Sequence, residues 1–216
     1  MDYGNMLGES FDYAKEGLFG KWVKWLLLLV ATILLMLPLL GYELKIFRGE
    51  KPSPEVNDWG TLFIDGIKYL FICLIYAIPV IIIAVIACAP LVIAAIEGNQ
   101  TFAIAAIGSF LVGLVVLAIV AIIIALLEFI AVIRFARTGR MGEAFNFSAI
   151  LTTIGKIGWL SYILALIIMI VIVGIVEFIC MAIPFIGGLL FFILIPFVIM
   201  FEARYLCQVY DSAGPV

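Results

Sequence analysis

Between Tyr69 and Ile133 the chain runs for 65 residues with two charged side chains, Glu97 and Glu128. A water-soluble core has no use for such a run, whereas a bilayer core about 30 Å thick takes about 20 helical residues to cross. The run therefore predicts two crossings and a turn. Its polar cluster, Glu97-Gly98-Asn99-Gln100-Thr101 with Pro90 just upstream, divides it into the two arms of a helical hairpin, 69–96 and 102–133.

The rest of the chain adds apolar runs around that hairpin. Hydrophobic residues make up 67% and charged residues 12%, about half the charged share of soluble domains. The reading is an all-α polytopic membrane bundle, one integral membrane domain over 1–216. It has about five spans, at 22–47, 69–96, 102–133, 157–181 and 189–209. A sixth arises if 102–133 or the first run divides. At about 1.5 Å per residue the 32 residues of 102–133 exceed the bilayer, so this segment must tilt, protrude or break, with Gly108 and Gly113 as the break points in the last case.

Amphipathic stretches flank the spans. Met6, Leu7, Ser10, Phe11, Ala14, Leu18 and Phe19 recur at helical spacing, which predicts an interfacial helix over 6–19. Lys21-Trp22-Val23-Lys24-Trp25 then forms an aromatic and basic collar of the kind found at headgroup level. Arg48 to Glu55, with Pro52 and Pro54, reads as an exposed loop, and Asp58 as the N-cap of a second short amphipathic helix. A third such segment covers 141–156. Two glycosylation sequons, at Asn99 and Asn146, read as chance matches.

In a five-span arrangement nine basic residues, from Lys45 to Arg204, collect on one face, and Lys15, Lys21 and Lys24 on the other. Because basic loops stay in the cytoplasm, the Arg48 loop, the Arg137 loop and the C-terminus are placed there, in a cell membrane, with the N-terminus outside. A re-entrant first segment turning near Pro38 and Gly41 would instead keep the N-terminus inside.

A carboxylate within an apolar span costs roughly 2.5–3.5 kcal/mol on insertion scales, so Glu128 and Glu177 are the candidate site residues. Arg204 is the chosen partner of Glu128, and Lys21 and Lys24 lie at the depth of Glu177. Each group reads as a polar clamp between helices or as a proton or ion site. Catalysis is not expected: there is no histidine, no phosphate loop, and no pair of intramembrane aspartates. Cys73, Cys88, Cys180 and Cys207 are scattered through apolar runs and read as small hydrophobes, and no cofactor or metal is expected. With a net charge of −3 the expected partners are membrane lipids and copies of this chain or other membrane proteins, not nucleic acid.

Leu40-Gly41-Tyr42, Arg48-Gly49, Pro54-Glu55, Asp58-Trp59-Gly60, Asp65-Gly66, Lys68 and Ile75-Tyr76 with Pro79 resemble the mostly archaeal membrane family known as domain of unknown function four thousand and thirteen. The resemblance implies an archaeal multi-pass membrane protein and brings no activity or catalytic residue with it. Inside the chain, Gly8-Glu9-Ser10-Phe11-Asp12-Tyr13-Ala14 matches Gly142-Glu143-Ala144-Phe145-Asn146-Phe147-Ser148, and Gly20-Lys21 before Trp25 matches Gly155-Lys156 before Trp159. Either an interfacial helix with its span is duplicated, as in inverted transporter repeats, or two amphipathic helices are alike by composition. Together these readings describe a non-catalytic structural or assembly component of a membrane, with a small transporter or channel subunit as the alternative.

Overall fold

The computed structural model describes residues 1–97 and 100–214, with the backbone alone at 100 and 101. In chain order its helices are α1 (Tyr3–Leu18), α2 (Trp22–Ile33), α3 (Leu37–Phe47), α4 (Trp59–Glu97), α5 (Gln100–Thr138), a 3-10 turn (Met141–Phe145), α6 (Phe147–Ile157), α7 (Trp159–Met181) and α8 (Gly187–Asp211). α4, α5, α7 and α8 are long and apolar enough to cross a membrane. In hydrocarbon every backbone donor and acceptor must find its partner within the chain, so apolar runs of this length become unbroken helices. Pro79 and Pro90 are carried inside α4 and Pro196 inside α8 for that reason. The same constraint decides 102–133 against a break. α5 is continuous through Gly108 and Gly113.

The first apolar run does not form one span. It divides into α2 and α3, of 12 and 11 residues, each about 18 Å long or less and too short to cross. Leu35 and Met36 both take positive φ, at 56° and 60°, and reverse the chain just before Pro38 in the first turn of α3. Positive φ costs a residue with a Cβ roughly 1–2 kcal/mol, so the turn is held by what packs behind it. Its tip faces outward, with Leu35 84% exposed.

Two compact units emerge, one of Met1–Leu70 with Phe129–Val216 and one of Phe71–Glu128. In the second unit α4 and α5 approach through small side chains. Ala87, Ala94 and Ala106 are buried, and a Cβ on Gly113 would lie 2.6 Å from that of Ala87. Isoleucine, valine and leucine cover the outer faces of this hairpin. Its turn, including Asn99 and its sequon, lies outside the described residues.

The first unit is organised on the C-terminal half of α8, where Met200, Ala203, Tyr205, Cys207 and Val209 are buried. α1 packs along it with Met6, Ser10, Ala14 and Leu18. Gln208 Nε2 donates to Met6 O at 2.9 Å and to Ser10 Oγ at 2.8 Å. Phe11 and Phe19, members of the apolar pattern read from the sequence, are half exposed and meet the edge of Phe197. α3 packs on the same helix, with Cys207 Sγ donating to Ile46 O at 3.2 Å. α3 also meets the first turns of α4 through two glycines. A Cβ on Gly41 would sit 2.0 Å from Leu62 O, and one on Gly66 would sit 1.8 Å from Leu37 O. The segment after Asp58 is therefore no separate interfacial helix; it is the start of α4. Asn146 caps α6 by accepting from Ala149 N at 3.2 Å.

Candidate functional site

Besides the contact of Arg204 with Glu9, charge in the first unit is concentrated in three groups. The first forms where the loop after α3 returns to α4. Arg48 donates to Asp65, whose other oxygen accepts from Lys68 Nζ at 3.2 Å, and Asp65 is buried. Tyr42 donates to Pro54 O at 2.9 Å, closing the loop over α3.

The second group surrounds Lys24, which the aromatic and basic collar brings inward. Lys24 is 4% exposed, and its Nζ donates to Ser53 Oγ at 2.9 Å and to Ser53 O at 3.2 Å. Glu55 lies at 3.8 Å and the Tyr42 ring at 5.9 Å. Burial pulls the amine down to about 8, against the Glu55 charge, which raises it, and with Lys21, which lowers it further. An amine whose folded value lies below its unfolded value opposes folding while protonated. The unfolded chain holds that proton up to about pH 10.5, so the Lys24 contribution to stability should improve as pH rises through 8. Melting of detergent-solubilised wild type should therefore gain on a Lys24→Met variant between pH 7 and 9.5. Parallel melting curves over that range would contradict the assignment. The difference is the readout because Glu43 and Tyr13 titrate as well. Burial, with the Glu202 charge adding to it, pushes Glu43 up to about 8, and burial raises Tyr13 above the ordinary phenol range.

The third group closes α5, α6 and α8. Arg134, with a side chain 7% exposed, places Nη2 2.6 Å from Glu143 Oε2 and Nη1 3.4 Å from Thr153 Oγ1. Arg140 reaches the other oxygen of Glu143 at 3.6 Å. These contacts hold the Glu143 carboxyl below its usual range, the hydrogen bond from Arg134 first among them. Arg137 donates twice to Asp211, at 2.8 and 3.1 Å, and lies over the Tyr210 ring at 5.8 Å. Gly49, at φ 88°, packs against the guanidinium of Arg137, 2.9 Å from where its Cβ would lie. A cavity of about 450 Å³ opens among these side chains.

The sequence candidates are distributed differently from their expected pairs. Arg204 is buried with Nη2 3.7 Å from Glu9 Oε2 and its guanidinium over the Tyr13 ring at 5.6 Å; Glu9 takes the place given to Glu128. Glu128 is half-buried and belongs to the second unit, within electrostatic reach of the Tyr76 phenol. Glu177 is on the exposed face of α7. Lys24 goes to Ser53 and Glu55 instead of Glu177, and Lys21 is exposed beside it, the two lining a separate cleft with Glu55 and Val56.

The internal match has partial structural content. Glu9 and Glu143, equivalent in it, each pair with an arginine that precedes an aromatic residue, Arg204-Tyr205 and Arg134-Phe135. Its second half diverges. Gly20 lies between helices at φ 77°, while Gly155 is inside α6. Sequence reasoning missed the 134–143 and 211 cluster as a site. The signal was present in the spacing of Arg134, Arg137 and Arg140, but Asp211 comes from a distant helix.

Long apolar helices that expose aliphatic faces, closed in the first unit by buried ion pairs, define an α-helical multi-pass membrane protein. The chain belongs to the family described as Protein of unknown function (DUF4013), which it matches over residues 25–185. No curated protein and no solved structure matches it. Glu9, Arg204, Tyr210 and Asp211 lie outside the matched residues, and Arg48, Asp65, Arg134 and Glu143 lie inside them.

Proposed function

We propose that this protein is a non-catalytic structural or assembly component of an archaeal cell membrane, with all its basic residues on the cytoplasmic side. The observation that carries this reading is the distribution of positive charge. None of the 12 Lys and Arg falls in 71–128 or 157–203. Nine of them, Lys24, Lys45, Arg48, Lys51, Lys68, Arg134, Arg137, Arg140 and Arg204, hold polar partners in the fold. That charge fastens helices to one another, and the clefts along the spans are lined by residues such as Ile172, Val176, Leu194 and Phe197. An ion pathway needs the opposite arrangement, with polar groups distributed along the membrane depth.

With α2 and α3 too short to cross, four crossings remain, and both ends of the chain fall on one side. The division of basic residues then becomes twelve to none, stronger than the nine to three of a five-span arrangement. A second copy of the internal match would enter from the same face as the first, which argues against an inverted transporter repeat. α1, the α2–α3 hairpin and α6 are then apolar or amphipathic insertions on the cytoplasmic side alone, adding volume to that side of the bilayer.

Two measurements test the proposal. In a cysteine-free background, Asn5→Cys, Lys51→Cys and Thr138→Cys should all be shielded from an impermeant thiol reagent in intact cells and react once the membrane is opened. In vesicles, the protein should leave proton and cation flux at the level of empty vesicles while changing vesicle diameter or shape. Flux abolished by Glu128→Gln or Glu177→Gln would establish the transporter reading, and labelling of Asn5→Cys in intact cells would restore a crossing by the first run.

A further inference from the structure

The cavity among Arg134, Arg137, Arg140, Glu143, Tyr210 and Asp211 is shaped around donors rather than acceptors. Three guanidinium groups face two carboxylates, leaving one positive charge in excess. Arg134 is the fixed member: its side chain is 7% exposed, and its Nε has no hydrogen-bond partner among the described residues, although its two terminal nitrogens are engaged. Arg140 is the exposed member, with a side chain 76% exposed and a long 3.6 Å contact to Glu143. Arg137 stands between them, oriented by Asp211 and stacked on Tyr210. α5 and α8 both end here, and their C-terminal dipoles favour the arginines, so an anion would be held by guanidinium charge and not by a helix terminus.

Glu143 shows what the cavity is built to accept. Its two oxygens are shared between two arginines, the fork geometry that a phosphate presents with more oxygens and more charge. We propose that this cavity binds a phosphate group, as the headgroup of an anionic phospholipid or as free phosphate, with Glu143 as the internal competitor that occupies the arginines when phosphate is absent. A cation is the wrong occupant for an excess of arginine. A cavity of about 450 Å³ holds a headgroup with room for its substituent. The proposal is independent of whether the protein is structural or a transporter.

The test uses the full chain in neutral detergent at low ionic strength, with thermal melting as readout and chloride at matched ionic strength as the control. One arm adds inorganic phosphate; the other places the protein in nanodiscs of phosphatidylcholine with and without phosphatidylglycerol. A rise in melting temperature with phosphate alone identifies free phosphate, and a rise confined to phosphatidylglycerol identifies the headgroup. Glu143→Gln removes the competitor, and the half-saturating concentration should fall about tenfold even if the unliganded protein melts earlier. Arg137→Gln combined with Arg140→Gln, both at accessible positions, should raise it about tenfold or more. A purely structural cluster would show lowered melting in both variants with unchanged ligand response. The proposal is overturned if neither arm shifts wild type beyond the chloride control, or if the arginine double variant responds as wild type does.

Discussion

Gly66→Ala should prevent α3 from seating on α4, and Gly41→Ala should do the same from the other side. The added Cβ would lie 1.8 Å from Leu37 O in the first case and 2.0 Å from Leu62 O in the second, and both obstacles are backbone. A side chain can turn away; a carbonyl inside a helix moves only with its helix. The contact is reciprocal, since Gly41 lies four residues after Leu37 and Gly66 four after Leu62, so each helix presents one glycine and receives one. We expect each substitution to cost about 3 kcal/mol or more, and the pair to cost less than twice that, because the first already separates the helices. The same separation would loosen Arg48 from Asp65. Gly108→Ala, at a helical glycine with open space around it, is the control and should leave melting within about 0.5 kcal/mol of wild type. Wild-type melting of Gly66→Ala would refute the close crossing.

The second large effect is expected at Arg204. Arg204→Ala removes a buried side chain that packs on Tyr13 and fills space between α1 and α8, at a cost of about 2–4 kcal/mol. Glu9→Gln should cost less than about 1 kcal/mol, since Glu9 is half exposed and its contact is 3.7 Å long. The asymmetry is the test, because a symmetrical buried clamp would lose as much from either side. In a double-mutant cycle the coupling of Arg204 should be with Tyr13, at about 1 kcal/mol, through the cation and the ring face. Coupling of that size between Arg204 and Glu128 would restore the clamp read from the sequence.

What was legible in the sequence was whatever depends on composition over a long window. The α4–α5 hairpin and the α7 and α8 spans follow from apolar runs bounded by polar or glycine-rich turns, and their existence needs no tertiary information. The reversal at Leu34-Leu35-Met36 has no such signal. It contains no glycine, proline or polar residue, and two of its residues take a backbone conformation that their own side chains disfavour, so packing elsewhere decides it. Pro38 and Gly41, both beyond it in α3, hinted at a reversal. The partners that Arg204 does have, Glu9 and Tyr13, escaped the sequence for a related reason. Depth along a span says which residues are at a similar level, not which helix lies beside which. α1, treated as an interfacial helix, is the element that supplies Glu9 and Tyr13 to Arg204. Gly41 and Gly66 were visible as residues of the family resemblance, but the carbonyl that each one accommodates is a property of the assembled pair.

The seating of α1 on α8 sets a temporal order for the growing polypeptide. Ser10 and Gln208 are 198 positions apart, and at roughly 5–20 residues per second a ribosome needs about 10–40 s to pass from one to the other. Throughout that interval α1 and the α2–α3 hairpin exist without the helix that buries Met6, Ala14 and Leu18. The bilayer surface offers an apolar phase that shelters amphipathic helices of this kind. α1 thus waits on the membrane for α8, and the first unit closes only when synthesis of α8 is complete.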